Sequence, residues 1–534
     1  MTYRNLLWFI FATAAVRLLL LGFSPLMDTT EARYGEISRL MVELNDWVTP
    51  WFTYDVPFWG KPPLAFWITA LSFKVFGLNE FAARLPHWLA GMLVLWIIWG
   101  MRPRSGNTGA TYAIALLLGS VMFFLAAGMV MMDMALVVGT TLAMRGFWNG
   151  LHDDPQRRGS ERWLLFIGLG IGLLAKGPVG VVLTGLPCGL WALTSGNLRV
   201  IWRDLPWVRG LLLTAAIALP WYVIAELRTP GFIDYFIVGE HFHRFVTPGW
   251  KGDLYGTAHD YPYGTIWLFM MADVLPWTIL FPIIAWQTRG ARLGAAAADA
   301  APVSTNISNT ASTTTSATAS TAFSSGSSVS AQGVNALSES GVQTATPAAW
   351  RNYLLLWAFM PAVFFTMAGN IIWPYVMPGL PALALLVGGW LTTRGNQQLV
   401  RLNLAVGLSI TMVLAIGFNI SMPFTGRSDD LAAKTLIQAY EGHREGGEPL
   451  IYLGHRPFSA AFYSRGKAQI QKTPAELERR LQGSAAYVAI RTSDLAYMPA
   501  TLMTGLEPLG VHGYFTLFRK QNAAAAAPTS PTSK

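Results

Sequence analysis

The chain has one cysteine, Cys188, and it lies inside an apolar stretch. An internal disulfide is excluded, and a thiolate metal site lacks ligands. A lone cysteine among apolar neighbours is ordinarily a packing residue. Charge is the second scarcity. Asp, Glu, Lys and Arg make up 13% of the residues, against roughly 25% in a soluble globular protein. With 53% hydrophobic residues as well, a water-soluble globule is excluded. Also missing are a Walker loop, a G-x-G-x-x-G unit, a G-x-S-x-G elbow and a His-Glu-x-x-His pair. Nothing therefore points to nucleotide, serine-hydrolase or zinc-peptidase chemistry. No internal repeat is present, which argues against the matched halves of many transporters.

What is present is a series of eleven apolar runs. They are roughly 6–22, 85–99, 111–126, 130–147, 163–175, 179–193, 210–226, 265–286, 353–368, 373–391 and 402–422. Runs of about this length read as membrane spans. The first follows Arg4 and has no small-x-small cleavage site, so it reads as a retained anchor. Arginines cluster in alternate gaps: Arg102 and Arg104, then Arg157, Arg158 and Arg162, then Arg199, Arg203 and Arg209, then Arg289 and Arg292, then Arg394 and Arg401. Basic residues are retained on the cytoplasmic side. The N-terminus is thus expected inside, and the segment after the last run outside. These loops also explain the net charge of +9, so nucleic acid is not an expected partner.

Three regions do not read as membrane. Residues 24–84 form a long outer loop. Within it, Ile37, Leu40, Met41 and Leu44 face one way and Arg33, Glu36 and Glu43 the other, which predicts an interfacial helix. Residues 294–349 are Ala, Ser and Thr with few large apolar groups, and read as a disordered cytoplasmic linker. Residues 424–520 alternate strand-like and helix-like segments, which predicts a small α/β domain outside the membrane. The tail 521–534 reads as disordered.

The outer face is where chemistry is expected. Asp28 and Glu31 stand where the first run leaves the membrane; they read either as helix-capping acids or as catalytic carboxylates. Lys61 precedes two prolines and an apolar helix, so it sits at a helix N-terminus where an anion such as phosphate is favoured. Its bland alternative is a membrane-interface anchor. Asp133 lies just inside an otherwise apolar run, where an ionisable group is costly and usually functional. In the later outer loop, Glu240, His241 and His243 offer ligands for a divalent metal ion, although no standard spacing is present. Arg244 is suited to forking phosphate oxygens. Carboxylates, phosphate-binding cations and an outer membrane face together suggest transfer from a lipid-phosphate donor, because nucleotide sugars are cytoplasmic.

These residues fall in ordered motifs: EARYGEISRLM, DWVTP, PFWGKPP, Asp133, AKGP, PWYVIAE, GEHFHRF, LPW and PYVMPGLPALAL. The set resembles the polyprenyl-phosphate-dependent membrane glycosyltransferases, in the bacterial branch related to protein O-mannosyltransferases and including the lipid A aminoarabinose transferases. The resemblance runs from about residue 4 to 423. It implies an all-α polytopic fold of the GT-C type with eleven to thirteen transmembrane helices and a small C-terminal α/β periplasmic domain. It implies a bacterial inner-membrane enzyme with an undecaprenyl-phosphate-type sugar donor and lipid A or another envelope glycolipid as acceptor. By motif position, Lys61, Arg244 and Tyr375 resemble the donor-phosphate residues, and Asp133 the second acid. The first acid falls where both Asp28 and Glu31 stand. Two departures leave the sugar open. Gly60 occupies the place of an acid before the lysine, and AGNIIWPY carries no lysine before its Pro-Tyr. Protein O-glycosylation with the same donor class is the alternative acceptor reading. A lipid-linked substrate transporter is the alternative of another class.

Overall fold

A computed structural model describes residues 1–101, 106–247, 249–256, 259–288, 346–482 and 485–520. Most of the expected linker 294–349 and the whole tail 521–534 lie outside the described residues.

Each of the eleven apolar runs is helical or nearly so. Five helices are long and apolar enough to cross a membrane alone: Tyr3–Leu20, Glu80–Gly100, Trp207–Arg228, Trp373–Thr392 and Gln397–Phe424. The run 265–286 is a bent pair, Thr265–Asp273 and Trp277–Gln287, at 69°. The remaining five runs are shorter, broken at Ser120, or carry polar groups such as Asp133, Arg145 and Asn149 among their neighbours. Helices shielded by other helices can keep such groups, because they need not face lipid on every side. Length and composition alone therefore give five or six spans among the described residues, fewer than the eleven expected. The chain is a multi-pass membrane protein.

Helix ends that border four of the five arginine-bearing gaps lie together. Gly100, His152 to Arg158, Thr346 to Arg351 and Thr393 surround one cavity of about 1340 Å³. At the same end Arg401 donates to the Met1 carbonyl (2.9 Å) and Tyr3 meets Thr111 (2.6 Å). The opposite end carries the long outer loop and the C-terminal domain. Arg17, inside the first helix, is turned into the protein. It is buried and donates to the carbonyls of Phe124 (2.9 Å) and Leu125 (2.8 Å).

One helical hairpin matters most for the site. Met132–His152 and Pro155–Lys176 run antiparallel, with Gly139 against Gly172 and Gly168 against Ala143. A Cβ at Gly139 would stand 2.7 Å from the Gly172 nitrogen, so only small residues permit this approach. The hairpin places Asp133, at the start of one helix, opposite Lys176, at the end of the other.

The predicted outer helix is present as Thr30–Glu43, but it is not interfacial. Its polar face, Glu36 and Arg39, is buried beneath the C-terminal domain, where the two form an ion pair of 2.7 Å. Beside it, β1 (Trp51–Thr53) and β2 (Val56–Pro57) form a small hairpin. The C-terminal domain contains β3 (Leu450–Leu453), β4 (Gln469–Gln471), β5 (Ala486–Arg491), β6 (Leu506–His512) and β7 (Phe515–Lys520), in sheet order β4-β3-β5-β7-β6. β4, β3 and β5 are parallel; β7 and β6 are antiparallel to their neighbours. Alternate residues bury on both faces. Tyr452, Tyr487 and Leu517 pack toward Lys434–His443, while Ile451, Val488 and Phe518 pack toward Pro474–Leu481. Burial on both faces explains why β3 and β5 read as continuous apolar runs.

Candidate active site

At the outer end, a cavity of about 160 Å³ gathers residues from five separate stretches of chain. Lys61 arrives from the loop before helix Leu64–Phe76, whose start at two prolines is as the sequence predicts. Glu240, His241 and Arg244 arrive from a π-helical turn, Asp234–His243, and its continuation Arg244–Val246. π-turns are uncommon and concentrate at functional sites. Lys176 closes the helical hairpin. Asn370 and Tyr375 come from the turn before helix Leu380–Thr392.

Glu240 is the hub. Its carboxylate accepts from Lys61 Nζ (2.9 Å), from Arg244 Nη1 (3.0 Å) and from Tyr235 (3.3 Å). Arg244 also reaches Asp253 at 3.3 Å. Burial alone would push Glu240 up, but Lys61 and Arg244 outweigh it and hold the carboxyl at about 2. Burial works the other way on Lys61, and the facing Glu240 raises it above the ordinary lysine range. Two donors that face this region lack partners. Arg244 Nε and Asn370 Nδ2 are both buried without a hydrogen bond. Buried orphan donors are rare and costly, and an anion would satisfy them.

Asp133 is buried and bonded to Lys176 Nζ at 2.5 Å. Lys176 in turn lies 4.6 Å from the centre of the Tyr375 ring. Lys176 and Asn370 were not singled out by sequence reasoning. The AKGP motif carried the signal for Lys176; its distance from Asp133, 43 residues, hid the pairing. Gly177 then lets the chain turn sharply. It has φ +83°, and a Cβ there would meet Phe236 at 2.6 Å and His241 at 3.1 Å.

Other expected site residues do not converge on this cavity. Asp28 accepts from the backbone nitrogen of Ser459 (3.0 Å) and from its hydroxyl, at the start of helix Phe458–Tyr463. Burial raises its carboxyl above the ordinary range. Glu31 is fully enclosed, where Arg84 grips it with bonds of 2.7 Å from Nε and Nη2. It also accepts from Met27 and Val130 nitrogens. Burial would raise Glu31, and Arg84 overrides it. Both acids join the outer loop to its surroundings. Glu240, His241 and His243 do not form a ligand set. Glu240 is committed to two cations, and both His241 ring nitrogens face carbonyls, of Phe236 (2.7 Å) and Lys176 (3.2 Å). Among the described residues no group of three or more His, Cys, Asp or Glu is arranged to hold a metal ion. At Gly60, a Cβ would meet the Phe58 ring at 2.9 Å.

Comparison with known proteins follows the same lines. Residues 7–236 match the sequence model of the dolichyl-phosphate-mannose-protein mannosyltransferase family. The undecaprenyl phosphate-alpha-4-amino-4-deoxy-L-arabinose arabinosyl transferase 1 of Pseudomonas fluorescens (strain Pf0-1) is 26% identical over 391 residues, 70% of this chain and 56% of that protein. Its counterpart in Enterobacter sp. (strain 638) is 28% identical over 276 residues, 50% of this chain and 47% of that protein. The chain thus spans about half the length of these relatives. The crystal structure of ArnT from Cupriavidus metallidurans bound to undecaprenyl phosphate superposes with TM-score 0.70 at 18% identity, covering 99% of this chain and 100% of that one. In sequence and in fold, this multi-pass membrane protein resembles the polyprenyl-phosphate-dependent glycosyltransferases, with the GT-C architecture and small C-terminal strand-containing domain of ArnT.

Proposed function

We propose that this chain is an inverting glycosyltransferase of the bacterial inner membrane. It moves a sugar from a polyprenyl-phosphate donor to lipid A or another envelope glycolipid on the periplasmic side. Residues 1–423 form the transferase unit and 424–520 a periplasmic unit. The observation that carries this reading is the outer cavity, where Lys61, Arg244, Tyr375 and the orphan donor of Asn370 meet beside Asp133–Lys176. Phosphate oxygens suit these groups. The acceptor hydroxyl attacks the anomeric carbon opposite the phosphate. The bond from that carbon to the phosphate oxygen breaks, and polyprenyl phosphate leaves with its charge held by Lys61 and Arg244. The hydroxyl proton passes to Asp133, which Lys176 orients beside the cavity. Asp28 and Glu31 serve structure on this reading.

The test is binding of polyprenyl phosphate without sugar. Lys61→Ala and Arg244→Ala should each weaken it by about 2–5 kcal/mol, as for truncation of a desolvated charge partner. Tyr375→Phe should cost less, about 0.5–1.5 kcal/mol. Unchanged affinity in both charge variants would move the phosphate site elsewhere.

The match to a protein mannosyltransferase family supports a second reading, in which the acceptor is a protein hydroxyl. Mass spectrometry of envelope glycolipids and envelope proteins, with and without this chain, separates the two by which loses its sugar.

A further inference from the structure

A second polar cavity, of about 450 Å³, lies where the C-terminal domain meets the outer loop. Its position follows from the strand order. From β3 the chain passes through Phe458–Tyr463 to β4 on one side, then returns through Pro474–Leu481 to place β5 on the other. The connections leaving β3 and β5 therefore diverge, and a crevice opens outside their carboxyl ends. Open α/β sheets bind ligands at this switch point. The cavity lies there. His455 follows β3, Arg491 ends β5 and Ser493 follows it, while His512 ends β6 and Tyr514 lies in the β6–β7 turn. Asp28 completes the wall from the outer loop.

The chemistry of the wall is selective. Among the described residues, the side chains of Arg491, His455 and His512 form no hydrogen bond or ion pair. Burial holds His455 below the ordinary histidine range, so its ring offers one donor and one acceptor. Asp28 is bonded to Ser459 and keeps further lone pairs. Tyr514 is 63% exposed. Asp429 and Asp430 add negative charge beside Asp28, which disfavours a bare phosphate. Mixed donors and acceptors around an exposed aromatic face match a ring carrying several hydroxyls.

We propose that this crevice binds a saccharide unit, stacked on Tyr514, with its hydroxyls shared among Arg491, Asp28, His455 and His512. The proposal shares no residue with the donor-phosphate cavity and does not depend on that reading. The crevice borders the membrane, because Asp28 follows helix Tyr3–Leu20 and Asp429 follows helix Gln397–Phe424. A glycan or glycolipid headgroup at the outer leaflet would be within its reach.

The test is calorimetric titration of the full chain in a detergent without a sugar headgroup. The probes are a glucosamine disaccharide, its phosphorylated form and inorganic phosphate. Both disaccharides should bind with similar affinity, and inorganic phosphate should not. Arg491→Ala and Tyr514→Ala should each weaken disaccharide binding about tenfold and leave polyprenyl-phosphate affinity unchanged. Both side chains are exposed, so the melting profile should stay as in the wild type. Arg491→Lys, which keeps the charge and loses the fork, should fall between and serves if an alanine variant fails to fold. No disaccharide binding, binding that requires phosphate, or unchanged affinity in the variants would overturn the proposal. Loss of polyprenyl-phosphate binding in Lys61→Ala bears on the donor reading alone.

Discussion

Lys61 and Arg244 are already engaged with Glu240 before any lipid arrives. The acid neutralises two cations in a place where bare charge is expensive. Glu240→Gln should therefore lower the stability of the lipid-free protein, by about 3 kcal/mol for a broken buried pair, since Arg244 keeps Asp253. It should also tighten polyprenyl-phosphate binding, because a competitor for both cations is removed. Thermal melts with and without the lipid check both signs. The pH dependence is specific. Glu240 titrates at about 2 folded against an ordinary 4.5, so its contribution is present above 4.5 and lost as pH falls toward 2. The stability gap between wild type and Glu240→Gln should be flat from about pH 5 to 8 and close below that. Asp133→Asn should cost about 10²–10⁴ in transfer rate without loss of folding, measured by turnover with a lipid-phosphate sugar. At this scale the sequence was partly legible. Lys61, Arg244 and Asp133 stood out by type and position. Glu240 stood out only as a metal ligand, because its partner Lys61 is 179 residues away.

The helical hairpin Met132–Lys176 and the sharp turn after it decide where Lys176 points. Gly177→Ala would put a Cβ at φ +83° and 2.6 Å from Phe236. About 1–3 kcal/mol of stability should be lost, together with part of the transfer rate, as Lys176 shifts. Gly185→Ala in the next helix meets nothing within 4 Å and should be neutral in the same melt. Helix and strand positions were largely readable from apolar periodicity. β4 and β6 carry little apolar signal: β4 is three residues with two exposed, and only the first residue of β6 is buried. The π-turn Asp234–His243 could not be read from spacing, because only Phe236 and Gly239 in it are buried and they set no apolar period. The buried polar face of Thr30–Glu43 was misread as solvent-facing, since the domain covering it lies four hundred residues on.

For the molecule as a whole, the arginine alternation predicts orientation. Reporter fusions at Ser325 and Gly447 should report opposite compartments, the first cytoplasmic and the second periplasmic. The same compartment at both sites would break the odd parity. The structure gathers helix ends from four of the five arginine-bearing gaps round one cavity and the motif residues at the other end. That separation was legible because insertion acts on local charge, which a sequence displays directly. The pairings that join distant parts were not legible. Asp28 with Ser459 and Glu31 with Arg84 satisfy acids that look, by themselves, as suited to catalysis as to anchoring.

The bonds between the outer loop and the C-terminal domain also set an order of assembly. Asp28 binds Ser459 and Leu431, Leu26 binds Tyr463, and Glu80 binds Lys434. The loop leaves the ribosome some four hundred residues before these partners. Until residues 424–520 have been exported, Glu36 and Arg39 lack the cover that buries them. Completion of the outer face is thus deferred until this later segment has been made. A nascent chain stalled after its last membrane helix would be inserted, oriented and still unfinished.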